Sequence, residues 1–174
     1  MAKPVKLAHV VFRTNRLEEM IAWYCTVLEA NVVYRTDWIA FLTYDDEHHR
    51  IALIGGQKFL EKPEGRQVGF AHVAFTFAGL GELFGTWQRL KKAGIVPNRS
   101  INHGPTTSFY YADPDGNDVE LQVDRFVDLG DAKVWMQGDA FARNPIGIEF
   151  DAEQMIARLQ SGESEISLMR RPDE

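Results

Sequence analysis

The sequence contains an internal duplication. The segment LAHVVF at 7–12 returns as FAHVAF at 70–75, and apolar residues at helical spacing follow each copy, over 16–29 and from Leu80 to Gly94. Each half then offers three strand candidates, which lie at 31–35, 38–44 and 49–54 and at 95–101, 107–112 and 118–123. A sequence pattern that repeats in this way indicates a repeated structural unit. We therefore predict an α+β fold of two βαβββ modules.

The module boundaries follow from this repeat. The predicted bounds are 1–55 and 68–125 for the modules, 56–67 for the linker, 1–125 for the single domain they form and 126–174 for a C-terminal extension. Asn15, with Glu18 three residues later, is expected to cap the first helix. In the extension, Asp151 and Gly162 bracket one predicted helix.

Composition and charge narrow the range of partners. The net charge is -6 and there is no cluster of lysine and arginine, which argues against nucleic acid and against an anionic membrane surface. No apolar run reaches transmembrane length, and MAKPVKL lacks the apolar core of a signal peptide. Cys25 is the single cysteine, so an internal disulfide is excluded and the reducing cytoplasm is the expected location.

A carboxylate stands in an apolar strand near the end of the second module. Asp113-Pro114-Asp115-Gly116 has proline and glycine at the positions typical of a type I turn, so the strands on either side should form a hairpin. Glu120 lies between Val119 and Leu121 in the second of these strands. A charge in a half-buried sheet is costly unless it is paired or binds a metal. We therefore expect a cationic partner for Glu120.

The duplication identifies candidate metal ligands. His9 and His72 occupy matching positions, and Phe41–Leu53 has the same length as Phe109–Leu121, an alignment that places Ala52 at the position of Glu120. If the halves are related by a pseudo-twofold axis, these four positions meet and hold His, His, Glu and Ala. Two imidazoles and one carboxylate form the facial set that suits Fe(II), Mn(II) or a similar divalent ion and leaves coordination positions open.

These residues are similar to those of the vicinal oxygen chelate superfamily, which contains glyoxalases, extradiol dioxygenases, fosfomycin-resistance enzymes and bleomycin-binding proteins. The resemblance covers 6–123 and includes the signature FAHVAF…DPDGNDVEL. It implies paired βαβββ modules whose curved mixed sheet surrounds a metal site. Fold alone does not determine the activity.

Three further residues resemble those of small, one-domain type I extradiol catechol dioxygenases. His49 stands in HHRIAL, Tyr110 stands in SFYYADPDGNDVE ten residues before Glu120, and His103 lies upstream of that tyrosine. The resemblance implies that His49 is the acid/base, that Tyr110 hydrogen-bonds the substrate and that His103 assists. A simple alternation along the strand would place His49 on the face opposite Ala52, so a bulge is expected there.

The resemblance also implies a reaction. We expect ring cleavage of a catechol, a dihydroxybiphenyl-like aromatic diol, with O2 and Fe(II), with Mn(II) as the other possible metal, in a homo-oligomer. Two alternatives stay open: a fosfomycin-type or related metal-dependent transferase, which would need a cationic cluster that we do not find, and a metal-free drug-binding protein. A glyoxalase is disfavoured because its fourth ligand position holds Ala52. Whether His48 or His49 is the base also stays open.

Overall fold

The structure, a computed structural model, describes residues 1–63, 65 and 68–174. The predicted linker contains Glu64, Arg66 and Gln67, which lie outside the described residues. The chain forms two compact units, one of 1–70 with 113–117 and the other of 71–112 with 118–174. Each unit contains one mixed sheet, as the duplication predicts.

The first unit contains a βαβββ module. Its elements are β1 (Val10–Arg13), α1 (Leu17–Leu28), β2 (Asn31–Arg35), β3 (Ile39–Thr43) and β4 (Ile51–Ile54). The strand order is β1-β4-β3-β2, with β1 parallel to β4 and the other pairs antiparallel. One face of α1 is buried because its apolar residues recur at helical spacing. The buried residues are Met20, Ile21, Tyr24 and Val27.

The predicted cap of α1 is wrong. The N-cap residue is Arg16, which makes no side-chain capping bond. The Asn15 side chain is instead engaged with Phe59, accepting from its backbone N–H at 2.9 Å and donating to its carbonyl at 3.0 Å. The reason for the difference is this tertiary contact, which the local capping pattern does not contain.

The second unit repeats the module and adds a strand. Its elements are β5 (His72–Phe77), α2 (Leu80–Lys92), β6 (Arg99–Asn102), β7 (Thr106–Ala112), β8 (Asp118–Asp124) and β9 (Ile148–Glu149). The strand order is β5-β8-β7-β6-β9. Gly94 ends α2 in a left-handed conformation (φ 77°), and Ile95 N–H donates to Leu90 O at 2.9 Å, which confirms the predicted glycine cap.

The strand registers support one half of the internal alignment. Val11 pairs with Ala52 in the first unit, and Ala74 pairs with Glu120 in the second. Val11 and Ala74 each stand two residues after the repeated histidine. Ala52 therefore occupies the strand position in its unit that Glu120 occupies in the other, as predicted.

The other half of the alignment is shifted by one residue. Phe41 pairs with Ala52 just as Tyr110 pairs with Glu120. The counterpart of Phe41 is therefore Tyr110 and not Phe109. The physical reason is the length of the connection between the paired strands. The chain from Phe41 to its partner Ala52 is one residue longer than the chain from Tyr110 to its partner Glu120.

The C-terminal extension is part of the second unit and contains more helices than the one predicted. Its helices are α3 (Leu129–Trp135), α4 (Asp139–Arg143), α5 (Ala152–Gln160) and α6 (Glu165–Met169). The predicted helix is α5, and the Asp151 carboxylate accepts from Gln154 N–H at 3.0 Å as its cap. The other three have seven residues or fewer, too few to show a helical period. No helix within 1–63, 65 and 68–174 is long and apolar enough to cross a membrane.

Candidate metal and substrate site

Alternation along β7 and β8 separates an apolar face from a polar one. Neighbouring residues of a strand point to opposite faces. Phe109 packs against Phe84 and Trp87 of α2, with ring centroids 6.0 and 6.2 Å apart. Tyr110 and its cross-strand partner Glu120 therefore point to the face away from α2.

The Glu120 carboxylate is buried among imidazoles. Glu120 is 5% exposed, and its Oε2 lies 3.0 Å from His72 Nε2. Its Oε1 lies 3.8 Å from His103 Nε2. His72 is the first residue of β5, and its side chain stays 40% exposed. The partners of Glu120 in these contacts are thus two imidazoles rather than the side chain of a lysine or arginine.

This pair fits a divalent metal. Two neighbouring ligands of an octahedral ion with bonds of about 2.1 Å lie about 3 Å apart. The 3.0 Å between His72 Nε2 and Glu120 Oε2 matches that spacing. Imidazole nitrogen with carboxylate oxygen is also the donor set that iron and manganese accept. The chemistry of the two side chains therefore suits a metal ion in contact with both.

Tyr110 and His103 form a hydrogen-bonded pair beside Glu120. The Tyr110 hydroxyl lies 2.9 Å from His103 Nε2, and His103 Nδ1 lies 2.5 Å from the carbonyl of Ile146. Burial lowers the pKa of His103, against the opposing effects of that carbonyl and of Glu120. Burial, and then the charge of Glu120, raise the pKa of Tyr110. The site thus holds a neutral phenol against an imidazole that favours its neutral form.

Two other predicted residues meet in the first unit. His9 lies one residue before β1 and is exposed. The His49 ring lies 4.4 Å from the His9 ring and 4.8 Å from the Phe41 ring, measured between centroids. Phe41 is the cross-strand partner of Ala52, so His49 reaches the Ala52 face. It does so from the irregular segment before β4 rather than from the bulge we predicted.

An arginine fixes this segment. Arg50 pairs with Asp45 at 2.9 Å and donates to the carbonyls of Leu7 and Ala8 at 2.8 and 3.2 Å. Ala8 immediately precedes His9, and Arg50 immediately follows His49. The Arg50 guanidinium therefore connects the backbone segments that carry the two histidines. Burial, followed by the charges of His9 and His48, lowers the pKa of His49. His48 itself is 69% exposed at its side chain, with its Nδ1 2.6 Å from His49 Nδ1.

The predicted site residues thus fall into two groups, one in each unit. His72, His103, Tyr110 and Glu120 lie together in the second unit, and His9 lies with His49 in the first. Among the residues that the structure describes, no group of three or more histidine, cysteine, aspartate or glutamate side chains is arranged to hold a metal.

Sequence reasoning missed the groups that support His103. These are the carbonyl of Ile146 and the guanidinium of Arg171, which donates to the carbonyl of His103 at 3.2 Å. Both belong to the C-terminal extension, outside the duplication. A contact with a backbone carbonyl leaves no residue pattern, so no signal in the sequence could have identified them.

A family match identifies the class of protein to which this fold and its histidine–glutamate contact belong. The chain belongs to the Glyoxalase/Bleomycin resistance protein/Dioxygenase superfamily, whose model matches residues 6–121. This confirms the family resemblance drawn from the duplicated histidines and the strand carboxylate.

Particular relatives narrow this assignment. The chain is 46% identical to biphenyl-2,3-diol 1,2-dioxygenase 2 of Rhodococcus globerulus over 93% of this chain and 85% of that protein. It is 42% identical to biphenyl-2,3-diol 1,2-dioxygenase 3 of the same organism over 95% of this chain and 88% of that protein. Among solved structures, lactoylglutathione lyase from Agrobacterium tumefaciens superimposes with a TM-score of 0.56 at 19% identity, covering 70% of this chain and 96% of that one. This last likeness concerns the fold alone.

Proposed function

We propose that this chain is an extradiol dioxygenase that opens the ring of a catechol, an aromatic diol of the biphenyl-2,3-diol type, with O2. The observation that carries the proposal is the 46% identity over 93% of the chain to a biphenyl-2,3-diol 1,2-dioxygenase. The Tyr110–His103 pair beside the buried Glu120 supports it, because a diol substrate needs hydrogen-bonding groups next to the metal.

We further propose that His9, His72 and Glu120 hold one divalent metal, with Fe(II) preferred and Mn(II) as the alternative. The contact of His72 with Glu120 supports two of the three ligands, and the matching position of His9 in the repeat supports the third. When bound, such an ion supplies the Lewis acidity and redox capacity that joining an aromatic diol to O2 requires. Ala52 in place of a second carboxylate keeps one position open for substrate.

The remaining roles fall to uncharged side chains. We assign His49 as the general base, because its neutral imidazole can take a proton from a catechol hydroxyl and histidine titrates near neutral pH. Tyr110 orients the substrate oxygen, and His103 holds Tyr110 through their 2.9 Å hydrogen bond. Phe41, next to His49, offers an aromatic surface to a ring substrate.

We also propose that the enzyme works in the cytoplasm as a homo-oligomer. Cys25 is a free thiol, which suits a reducing compartment. Light scattering of the purified protein measures the subunit number, and a monomer at working concentration would contradict the second part.

The proposed activity is tested with 2,3-dihydroxybiphenyl and simple catechol. The protein is loaded without oxygen with Fe(II) or, in a parallel sample, with Mn(II), and O2 is then admitted. We expect a yellow ring-fission product and equal consumption of O2 and diol, with the iron sample the more active per bound metal. No cleavage of either diol by the iron-loaded protein would reject the dioxygenase assignment, and higher activity with manganese would reverse the metal preference.

A further inference from the structure

Arg171 is a buried arginine that holds three backbone carbonyls as well as one carboxylate. Its side chain is 0% exposed. Its guanidinium donates to three carbonyls, those of Ala140 at 2.6 Å, Asn144 at 2.7 Å and His103 at 3.2 Å, and to the Asp173 carboxylate at 2.5 Å. Burying a charge is costly unless its donors are satisfied, so these bonds fix the segments that supply the carbonyls.

The same extension contacts the residues on either side of His103. The Asn102 side chain donates to the backbone carbonyl of Met169 at 3.0 Å, and both residues are buried. Gly104 has φ 99°, and a Cβ there would come within 1.9 Å of the Trp135 ring. The loop that carries His103 is thus tied down on both sides by residues of the extension.

The hydrogen bonds of His103 define its tautomer. The carbonyl of Ile146 can only accept, so the proton of the neutral ring must sit on Nδ1, 2.5 Å away. Nε2 then carries a lone pair that can accept the Tyr110 hydroxyl proton at 2.9 Å, and the Glu120 carboxylate is the other acceptor beside that hydroxyl. With its proton directed at His103, the Tyr110 oxygen offers lone pairs to a donor such as a diol hydroxyl. Asn144, held by Arg171, accepts from Gly147 N–H at 2.9 Å and so positions Ile146.

From these contacts we propose that Arg171 is a positioning residue: it holds the carbonyl of Ile146 against His103, locks His103 in the Nδ1-protonated tautomer and so directs the Tyr110 hydroxyl. The part of this inference that concerns turnover rests on the proposed ring cleavage. The part that concerns the tautomer does not.

The test compares Arg171→Met with Arg170→Met. Arg170 is the adjacent residue, its side chain is 69% exposed, and its partner Glu174 keeps a second arginine partner in Arg125 at 2.6 Å, so Arg170→Met controls for loss of a positive charge at this end of the chain. Misplacing a catalytic group by about 1 Å costs about 10²-fold in rate. We expect Arg171→Met to lose kcat by about that factor with KM little changed, and Arg170→Met to match the parent. Arg171→Lys should fall between them, because an ammonium supplies three donors without the fixed fork of a guanidinium.

A second readout is independent of activity. In the metal-free full-length chain with ¹⁵N-labelled histidine, the His103 ring is assigned by its absence in His103→Gln. We expect the parent to show a protonated Nδ1 and an unprotonated Nε2, and Arg171→Met to show both tautomers in exchange. If Arg171→Met does not fold, Arg171→Lys should show the same partial loss of the single tautomer.

Two results would overturn the proposal. One is a proton on Nε2 of His103 in the parent. The other is a folded Arg171→Met, or Arg171→Lys when only that variant folds, with the parent's tautomer and kcat. A parent that cleaves no catechol would reject the proposed function instead, and the imidazole spectrum would still decide the role of Arg171.

Discussion

Replacing Tyr110 by phenylalanine separates the chemistry of the site from its packing. The Tyr110 ring makes an edge contact with His72, with centroids 5.6 Å apart, and lies 4.4 Å from the Arg99 guanidinium carbon. Phenylalanine keeps both contacts, because neither involves the hydroxyl. What the variant loses is the 2.9 Å hydrogen bond to His103 and the oxygen that would orient a diol.

The expected loss of stability in Tyr110→Phe is smaller than the expected loss of turnover. One net hydrogen bond contributes about 0.5–1.5 kcal/mol to stability. Native domains have about 5–15 kcal/mol in total, so the variant should stay folded. Removing a group that contacts developing charge in the transition state costs about 10²–10³-fold in kcat, or about 2.7–4 kcal/mol. The loss of turnover should therefore exceed anything that unfolding can explain.

Tyr111→Phe is the matched control. Tyr111 is the next residue of β7, is 1% exposed, and its hydroxyl has no hydrogen-bond partner among the described residues. A buried hydroxyl without a partner costs about 1–3 kcal/mol, so its removal should leave stability unchanged or raise it. Turnover should match the parent, because Tyr111 points to the opposite face from Tyr110.

The assay measures steady-state ring cleavage per bound iron, together with urea unfolding. We expect Tyr110→Phe to keep its iron, lose about 10²-fold or more in kcat and lose about 1 kcal/mol of stability. Equal kcat in the two variants would show that the Tyr110 hydroxyl does not act on the substrate. Loss of iron in Tyr110→Phe would show that the hydroxyl supports the ligands and not the substrate.

Three further predictions concern the base, the open position and the fold. His49→Ala should keep iron and lose about 10²–10⁴-fold in turnover, whereas replacement of the exposed His48 by Ala should leave turnover unchanged. Lost turnover in His48→Ala with normal turnover in His49→Ala would assign the base to His48. Ala52→Glu should keep metal and lose cleavage, and unchanged cleavage would contradict the alignment of Ala52 with Glu120. Tyr24→Phe removes a buried hydrogen bond to the Asp113 carboxylate (3.1 Å) and should lower the urea unfolding free energy by about 1.5–3 kcal/mol; a change below about 0.5 kcal/mol would be contrary to it.

Much of the fold could be predicted because the same pattern of strands and helix occurs twice in the sequence. One copy of a strand–helix pattern is ambiguous, but FAHVAF repeating LAHVVF fixes where each module begins. Glu120 could be singled out because a carboxylate between Val119 and Leu121 conflicts with its surroundings unless it has a partner. In the structure Glu120 is buried and lies in contact with His72.

What could not be predicted depends on loop lengths and backbone contacts. Phe41 corresponds to Tyr110 and not to Phe109 because the connection between β3 and β4 has one extra residue. An alignment based on segments of equal length does not reveal that residue. The approach of His49 to Phe41 depends on an irregular segment held by Arg50. Arg171 binds carbonyl groups, and every residue has one, so its partners carry no sequence signature.

Whether three residues hold the metal is decided by measuring bound iron and ring cleavage together in His9→Ala, His72→Ala and Glu120→Ala, with His48→Ala as the control. All four are loaded anaerobically with Fe(II), desalted and assayed with 2,3-dihydroxybiphenyl. If the three residues are the ligands, each of their variants loses iron and turnover in parallel while remaining folded, and His48→Ala keeps its iron. Full iron occupancy in folded His72→Ala would show that His72 is not a metal ligand.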